Sequence, residues 1–335
     1  MGTQFSQIFP PSPVFTEKDL PSLEGKVFLI TGGTSGIGFE LAKILYHAGG
    51  SVYITGRTEE KALNAVEGIR TSLPEIRKSA TGDDKEQSQG RIDSIVLNLD
   101  DLSSIKPSAD AFMSKEKKLD VLFNNAGVSQ PPLGSVSKQG YELQLATNCL
   151  GPFLLTQLLL PLLEAAVTVS SPSSVRVVWL SSQVAELSTP PQGLIMSELT
   201  SPPADNVRNY TNSKVGNWFL SSEFARRYGD RGIVSVALNP GAAKTSLLRN
   251  AKWMEFFSYP LLYSAKHGAY TELFAGLSGE ISLVNNNGCY VIPWGRVHTN
   301  VKDDLKSAIK TVEDGGTGRA SEFWEFCEGR VKEYL

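Results

Sequence analysis

A tyrosine and a lysine four residues apart, Tyr210 and Lys214, have the types and spacing that could do chemistry. Positions i and i+4 lie on one face of an α-helix, so the two side chains would be neighbours in a helix. An ammonium group close to a phenol favours the phenolate and lowers the pKa of the phenol. Such a tyrosine can transfer a proton near neutral pH, which an ordinary tyrosine with a pKa of about 10 does poorly. The spacing alone also fits a solvated helix face, so its meaning depends on the elements around it.

A glycine-rich turn near the N-terminus could hold the phosphates of a nucleotide. The apolar run 26–31 leads directly into the sequence GGTSGIG at 32–38, and a helical segment follows over 39–48. A strand, a glycine turn and a helix in this order open a dinucleotide-binding βαβ unit. The glycines let the backbone approach a pyrophosphate, and the helix N-terminus supplies N–H donors and a positive dipole. The alternative is a tight turn that binds nothing.

Arg57 follows the second predicted strand, 51–55, where the adenosine ribose of a dinucleotide would lie. An acidic residue at this point would bond the ribose 2′-OH of NAD, whereas an arginine suits the 2′-phosphate of NADP. The first acidic residue here is Glu59, so the sequence favours NADP(H). Arg57 could instead be a surface residue that starts the next helix.

Strands and helices alternate along the rest of the chain. Further strands are predicted at 92–99, 119–123, 174–180, 233–238 and, as a last edge strand, 288–293, with a long helix at 141–168. Polar or glycine residues follow the strands, so the pattern predicts a single doubly wound parallel sheet (Rossmann fold) with helices on both faces. The predicted organisation is an extended arm over 1–22, the sheet domain over 23–300 with a substrate flap at about 245–280, and a C-terminal helical extension over 301–335. The polar stretch 74–90 reads as a surface insertion.

Composition restricts the class of protein. The 335 residues are 41% hydrophobic with a formal net charge of −3, which is typical of a globular chain and offers no basic surface for nucleic acid. The three cysteines (Cys149, Cys289 and Cys327) fit neither a disulfide framework nor a metal site and favour a reducing, cytoplasmic location. We identify no bilayer-spanning segment and no signal-peptide layout, so we expect no stable membrane insertion. Residues 1–6 fit the loose N-myristoylation pattern, which we interpret as a chance match because no polybasic patch follows.

Taken in order, these motifs resemble those of the short-chain dehydrogenase/reductase family. The resemblance spans roughly 23–291, and its motifs are modest singly but specific together: TGGTSGIG at 31–38, NNAG at 124–127, Asn148, Ser182, Tyr210, Lys214 and PG at 240–241. The flanking sequences, LFNNAG at 122–127 and TNCLGPF at 147–153, are most similar to the retinol-dehydrogenase-like branch, particularly its fungal members.

The resemblance implies a role for each matching residue. Tyr210 would protonate the carbonyl oxygen during reduction, and Lys214 would lower the pKa of that tyrosine and hold the nicotinamide ribose. Ser182, rather than Ser181, would hydrogen-bond the same oxygen, and Asn148 would kink its helix and keep a water in a proton relay behind Lys214. The remaining matches would bind NADP(H): Gly32, Ser35, Gly36, Ile37 and Gly38 around the pyrophosphate, Asn125 under the adenosine ribose, Asn98 at the adenine, Thr245 at the amide or phosphate side, and Thr34, Arg57, Ala126, Gly127, Pro240 and Gly241 elsewhere along the cofactor.

Two departures from the family pattern leave alternatives open. The family has an aspartate after the third strand that touches adenine; we align Asn98 with it, and Asp100 is the competing choice. The connection from Ser182 to Tyr210 is longer than usual, which indicates an enlarged substrate loop and leaves the substrate unassigned.

We therefore expect an NADPH-dependent oxidoreductase that interconverts a ketone or aldehyde and an alcohol on an apolar small molecule. The substrate could be a retinoid-like, steroid-like, lipid or secondary-metabolite carbonyl, and the sequence does not decide between reduction and oxidation. The alternatives are a nucleotide-binding module without chemistry and a non-redox enzyme on the same scaffold. The family often pairs through its long helices, which allows a homodimer. Aromatic residues that would line a substrate pocket, or form ordinary core, are Trp218, Trp253, Phe256, Phe257 and Tyr263.

Overall fold

One sheet lies at the centre of the fold. The computed structural model describes residues 2–73, 89–244 and 262–335. Within them the strands are β1 (Val27–Ile30), β2 (Ser51–Gly56), β3 (Arg91–Val96), β4 (Val121–Asn124), β5 (Arg176–Leu180), β6 (Val234–Leu238), β7 (Tyr290–Ile292) and β8 (Arg296–Val297). Their order across the sheet is β3-β2-β1-β4-β5-β6-β7-β8, and every neighbouring pair is parallel except β7 and β8. We predicted β7 as the edge, but the edge is β8, which is too short to leave a periodic pattern.

Both faces of this sheet are covered by apolar cores. In β1, Val27 and Leu29 belong to one core, and Phe28 and Ile30 belong to the other. Successive side chains of a strand point to opposite faces, so each core lies on its own side of the sheet. Strands buried on both faces read as continuous apolar runs, which is why they could be located in the sequence. The predicted doubly wound sheet with helices on both faces is confirmed.

Helices connect the strands and fill the two faces. The long helix that carries Tyr210 begins after Asp205, whose carboxylate accepts hydrogen bonds from the backbone N–H of Val207 and Arg208 at 2.9 and 3.1 Å. The helices of the described residues are α1 (Gly2–Ile8), α2 (Gly36–His47), α3 (Glu59–Arg70), α4 (Ile105–Lys115), α5 (Leu143–Val169), α6 (Val184–Leu187), α7 (Ser197–Thr200), α8 (Asn206–Tyr228), α9 (Ala265–Leu277), α10 (Asp303–Ile309) and α11 (Arg319–Val331).

Helix α5 corrects the expectation about membrane spans. This helix is long enough to cross a bilayer and, with a mean hydropathy of 1.7, apolar enough to do so. The sequence analysis identified no such segment. Most of its leucines are nevertheless buried inside the protein; Leu154, Leu159 and Leu163 are fully enclosed. The apolar character of α5 is therefore accounted for by the core of one face of the sheet.

The N-terminal residues are not an extended arm throughout. Residues 2–8 form α1, and Glu17–Asp19 form one turn of 3-10 helix, whose N-terminus is capped by Thr16. Helix α1 is held by contacts to parts of the chain far away in sequence, described below. The local sequence pattern does not contain those contacts, so the helix was missed.

The segment predicted as a substrate flap, about 245–280, is in part a core helix. In α9, Ala269, Leu273 and Phe274 are buried, and the helix packs against α2 and the sheet. Residues 245–261 of that prediction, which include Thr245, Trp253, Phe256 and Phe257, lie outside the described residues, as does most of the insertion at 74–90.

Candidate active site

A crevice of about 210 Å³ opens at the carboxyl ends of β1 and β4. Strands β2 and β3 lie on one side of β1, and β4 lies on the other side, so the strand order reverses between β1 and β4. In sheets of this kind, ligands bind at the point where the strand order reverses. Asp100, Val128, Ser129 and Thr147 also line the crevice. The predicted site residues that line it are Gly32, Thr34, Ser35, Gly36, Ile37, Arg57, Asn98, Asn125, Ala126, Gly127 and Lys214.

The glycine turn enters this crevice at the start of α2. Gly32 and Gly36 have φ of +68° and +62°, which side-chain-bearing residues rarely adopt. A Cβ at Gly33 would lie 2.6 Å from Cγ2 of Ile54, and one at Gly38 would lie 2.5 Å from Nδ2 of Asn125. Gly38 is therefore a packing residue beneath the turn rather than part of the crevice lining. The N-terminus of α2, with Gly36, opens on the crevice as a phosphate site requires.

Asn125 fastens the glycine turn to β4. Its Nδ2 donates to the carbonyl oxygen of Thr31 at 2.7 Å, and the backbone N–H of Ala126 donates to Oγ1 of Thr31 at 2.9 Å. We expected Asn125 under a ribose; the structure shows that its amide also fixes the shape of the turn. Pro240 and Gly241 lie at the end of β6, where a Cβ on Gly241 would meet Trp294 at 2.6 Å, and they do not line the crevice.

The far end of the crevice contains Arg57 and Asn98. Arg57 is exposed at the end of β2. Oδ1 of Asn98 is buried and accepts no hydrogen bond from the described residues. A buried acceptor without a donor is costly, so this oxygen suits a ligand that brings an N–H group. Asp100 lines the same region, but Asn98 carries the unmet acceptor.

Ser182, Tyr210 and Lys214 come together where β5 ends against α8. The side chains of Ser182 and Tyr210 are hydrogen-bonded to each other. Nζ of Lys214 lies 5.6 Å from the centroid of the Tyr210 ring and donates to the carbonyl oxygen of Leu180 at 2.9 Å. The two side chains four residues apart are therefore neighbours on one side of α8; Lys214 lines the crevice, whereas Tyr210 and Ser182 are not among its lining residues.

Asn148 lies behind this group in a π-helical turn of α5, Ala146–Leu150. Its Oδ1 accepts from the backbone N–H of Val128 at 2.8 Å, and its Nδ2 donates to Oγ of Ser213 at 2.9 Å. A Cβ at Gly127 would lie 3.1 Å from Oδ1 of Asn148 and 3.5 Å from Nζ of Lys214. The irregular turn matches the expected kink, and Gly127 leaves room between the asparagine and the lysine.

The pKa of Tyr210 departs from the expected direction. Burial raises this pKa to about 12, although the hydrogen bond from Ser182 lowers it in part. Burial also lowers the pKa of Lys214 to about 8, against weaker opposing effects of Cys149 and Glu272. We expected the ammonium group to lower the pKa of the phenol; in the structure the effect that lowers it is the hydrogen bond with Ser182, and desolvation is larger. Tyr210 is consequently protonated at neutral pH.

Several residues that support the site were not identified from the sequence. Oγ of Ser181 donates to the carbonyl oxygen of Lys214 at 2.7 Å, and Nδ2 of Asn217 shares the carbonyl oxygen of Leu180 at 2.8 Å. The hydroxyl of Tyr290 donates to the carbonyl oxygen of Ser182 at 2.9 Å. Asn217 lies three residues after Lys214, so its place on the same face of α8 was readable, but Tyr290 comes from a distant strand.

Two aromatic residues predicted as pocket lining have other surroundings. Trp218 is buried, with its ring centroid 4.1 Å from that of Tyr290, so it is a core residue. Tyr263 is half-buried and packs edge-on against Trp294 with centroids 4.9 Å apart. Its hydroxyl donates to the carbonyl oxygen of Ile8 at 3.3 Å.

Comparison with known proteins agrees with this geometry. The family model for short chain dehydrogenases matches residues 26–255. The short-chain dehydrogenase/reductase iacJ of Pestalotiopsis fici is 41% identical over 337 residues, covering 99% of this chain and 98% of that one. A short-chain dehydrogenase/reductase of Phomopsis amygdali is 43% identical over 338 residues, covering 99% and 97%. The crystal structure of an uncharacterised protein from Mycobacterium paratuberculosis superposes with a TM-score of 0.66 at 26% identity, covering 95% and 97% of the two chains. The protein therefore belongs to the short-chain dehydrogenase/reductase family of oxidoreductases.

Proposed function

We propose that the protein is an NADPH-dependent oxidoreductase that interconverts a ketone or aldehyde and the corresponding alcohol on an apolar small molecule, such as a secondary metabolite. The observation that carries the proposal is the hydrogen-bonded pair of Ser182 and Tyr210 beside Lys214, which itself lines the crevice. The free state of the three cysteines supports a cytoplasmic, reducing location.

The residues of the crevice fit NADP(H). The glycine turn leaves a cradle that a Cβ at Gly32 would close, 2.9 Å from Cα of Ala126. The buried Oδ1 of Asn98 can accept from the amino group of adenine, and Arg57 can bind a 2′-phosphate. Pro240, Gly241 and Thr245 are proposed for the nicotinamide side on the resemblance alone. When bound, the cofactor supplies a hydride from C4 of its nicotinamide ring.

Residues of the chain then stabilise the negative charge on the carbonyl oxygen and supply its proton. A carbonyl oxygen that receives negative charge needs donors aimed at it, and Tyr210 and Ser182 both present hydroxyl groups at the same point. Tyr210 gives its phenolic proton to that oxygen, and the charge of Lys214 stabilises the phenolate that remains. The carbonyl oxygen of Leu180 accepts from Nζ of Lys214 and so keeps the lysine in place. In alcohol oxidation the same residues act in reverse.

The proposal also concerns partners. Small-molecule substrate binding without nucleic acid or membrane insertion is proposed, and a homodimer through the long helices is possible only on surfaces that α11 leaves free. Helix α11 packs along α8, where a Cβ at Gly216 would meet Phe323 at 2.6 Å. The corresponding face of α8 is therefore internal to this chain.

The test is NADPH consumption with a panel of ketones and aldehydes of increasing size, with NADH in parallel. We expect turnover by the wild-type protein with at least one apolar carbonyl, and its loss in Tyr210→Phe with NADPH binding retained. Equal activity in both proteins would remove Tyr210 as the proton donor. Conversion of substrate without oxidation of NADPH would instead indicate a non-redox enzyme.

A further inference from the structure

Tyr290, the first residue of β7, contacts both the segment that carries Ser182 and the helix that carries Tyr210. Its side chain is buried, at 2% exposed. The hydroxyl donates to the carbonyl oxygen of Ser182 at 2.9 Å, and the ring packs on Trp218 of α8 with centroids 4.1 Å apart. One side chain therefore joins the two elements whose hydroxyl groups form the proposed catalytic pair.

The ring of Tyr290 is fixed on the side of α8 that carries the site. Trp218 lies one helical turn after Lys214 and two turns after Tyr210, so the three side chains follow one side of the helix. Trp218 is itself buried, and the planes of the two rings are 31° apart. Neither ring can move without opening a void in a close-packed core. The hydroxyl of Tyr290 is thereby held at a set distance from α8.

The backbone is held on both sides of the Cα of Ser182. Before it, the N–H of Ser181 donates to the carbonyl oxygen of Leu238 at 2.8 Å, which continues the pairing of β5 with β6. After it, the carbonyl oxygen of Ser182 accepts from Tyr290 and from the N–H of Ala185 at 3.0 Å. Tyr290 is the long-range contact that orients this second peptide group, and the orientation limits where the serine hydroxyl can point.

The hairpin of β7 and β8 also holds the segment farther along. The N–H of His298, just after β8, donates to the carbonyl oxygen of Tyr290 at 2.8 Å. Nε2 of His298 lies 2.7 Å from Oε1 of Glu186 in α6, and both side chains are buried. A buried carboxylate is costly without a donor, so this pair keeps α6 against the hairpin. The segment after β5 is thus fastened at two points by one hairpin.

We propose that Tyr290 is the positioning residue of Ser182, and that it sets the place of the serine hydroxyl relative to the hydroxyl of Tyr210. The proposal rests on the proposed function and adds the β7–β8 hairpin to the parts of the chain on which that function depends. Tyr290 acts through Ser182 and is not itself a donor to the substrate. A misplacement of about 1 Å in a catalytic group can cost about 100-fold in rate, so such a support affects kcat.

A second route from Tyr290 leads to the lysine. Its hydroxyl lies 3.5 Å from Oγ of Ser181, which donates to the carbonyl oxygen of Lys214 at 2.7 Å. A phenol has one proton, and the carbonyl oxygen of Ser182 is the nearer acceptor. The route through Ser182 is therefore the one that the geometry favours. The two routes differ in their consequence, because a change at Lys214 would alter NADPH affinity.

The experiment uses Tyr290→Phe, which removes the hydroxyl and keeps the ring on Trp218. The matched control is Tyr53→Phe, at a fully buried tyrosine whose hydroxyl donates to Glu116 at 2.9 Å. Each change is made in the wild-type protein and in Ser182→Ala. We measure kcat with saturating NADPH and the carbonyl of the panel that the wild-type protein reduces fastest, and NADPH affinity by fluorescence titration. Hydrogen–deuterium exchange of a peptide covering 183–188 reports the order of the segment without turnover.

We expect Tyr290→Phe to lower kcat by about tenfold and to speed exchange of 183–188, with NADPH affinity changed less than about twofold. In Ser182→Ala the same change should lower kcat by less than about twofold, because the group that it positions is already absent. The control should lower kcat by less than about twofold in either protein.

A further tenfold loss of kcat in Ser182→Ala would show that Tyr290 acts independently of Ser182 and would refute the proposal. Weaker NADPH binding in Tyr290→Phe would place its effect at Lys214, and an equal loss of kcat in Tyr53→Phe would reduce it to general destabilisation. Absence of turnover by the wild-type protein with every carbonyl would refute the proposed function. Unchanged exchange in Tyr290→Phe would refute the positioning of Ser182 whether or not the protein reduces carbonyls.

Discussion

Nζ of Lys214 lies 2.9 Å from the carbonyl oxygen of Leu180, the last residue of β5. The lysine is therefore positioned by the end of a central strand and not by a carboxylate partner. Asn217, one helical turn later on α8, donates to the same oxygen at 2.8 Å. Two side chains of α8 thus fix this helix against the end of β5, while the four-residue spacing along α8 places the lysine beside Tyr210.

Replacement of Tyr210 by phenylalanine tests the proton donor. We expect kcat for ketone reduction to fall by about 100-fold to 10,000-fold, the range for loss of a general acid, because the phenol is the group that supplies the proton. NADPH affinity, measured by fluorescence titration, should change little. The matched control is Tyr228→Phe on the same helix, which also loses one hydrogen bond, to Gln157 at 3.1 Å. A comparable loss of kcat in Tyr228→Phe would contradict the assignment of Tyr210 as the proton donor.

The neighbouring serines should separate into chemical and structural roles. In Ser182→Ala we expect kcat to fall by about 100-fold, since one donor to the developing negative charge is removed. In Ser181→Ala the buried hydrogen bond to the backbone of Lys214 is lost, so the free energy of unfolding should fall by about 1 kcal/mol. Urea denaturation and steady-state kinetics measure the two effects. A large loss of kcat in Ser181→Ala, with only a loss of stability in Ser182→Ala, would show that Ser181 is the serine that donates to the substrate oxygen.

NADPH affinity should depend on pH through Lys214. Burial lowers the pKa of this lysine to about 8, so the group is protonated below that pH and loses its charge above it. The cofactor is an anion, so its dissociation constant should rise as pH increases through the transition, and bound cofactor should move the transition upward. Titrations at a series of pH values measure this dependence. The Lys214→Met variant should bind NADPH more weakly at neutral pH, and its dissociation constant should show no transition with pH. A transition that persists in this variant would show that another group titrates.

Arg57 should determine the preference for NADPH over NADH. Removing a charge-assisted hydrogen bond of about 1.5–3 kcal/mol predicts a loss of NADPH affinity of about 10-fold to 150-fold in Arg57→Ala, with NADH affinity nearly unchanged. Arg70→Ala, which removes an exposed arginine paired with Glu67 at 3.2 Å, serves as the control. Equal weakening of both cofactors by Arg57→Ala would show that the arginine does not read the 2′-phosphate.

The C-terminal helix should contribute to the stability of the catalytic domain. Phe323 is fully buried between α11 and α8, and its ring lies 6.4 Å from that of Phe219. Phe323→Ala should lower the free energy of unfolding by about 3–5 kcal/mol through lost burial and the cavity left behind. Phe326→Ala, at a half-buried ring on the same helix, should cost less than half as much in the same denaturation experiment. Equal effects would mean that α11 does not form part of the core.

The sheet and the crevice could be predicted because their signals are local. The run at 26–31, the glycines at 32–38 and the four-residue spacing of Tyr210 and Lys214 each describe a single element whose geometry fixes the neighbours. Because the strands are parallel, their carboxyl ends meet at one edge of the sheet, and no long-range contact has to be known to predict this. The sequence left Asn98 and Asp100 as competing choices for the adenine contact; of the two, Asn98 has a buried Oδ1 without a donor among the described residues.

Contacts between distant segments could not be predicted in the same way. Gln7 bonds to Glu186 and Asn239, which are 179 and 232 residues away, so nothing near Gln7 in the sequence reveals that α1 is docked. The pKa of Tyr210 was predicted in the wrong direction because helix spacing shows the nearby lysine but not the extent of burial. Helix α9 was interpreted as part of a flap because its aromatic residues fit a pocket as well as a core.

The π-helical turn at Ala146–Leu150 makes the site sensitive to the exact length of α5. Each residue of a regular helix advances the side-chain direction by about 100°, so deleting one residue before Asn148 would turn its amide away from Val128 and Ser213. A change that leaves composition and apolar pattern almost intact would thereby disconnect α5 from the segment after β4 and from α8. Chain length at this turn is thus as strictly constrained as the identity of the asparagine itself.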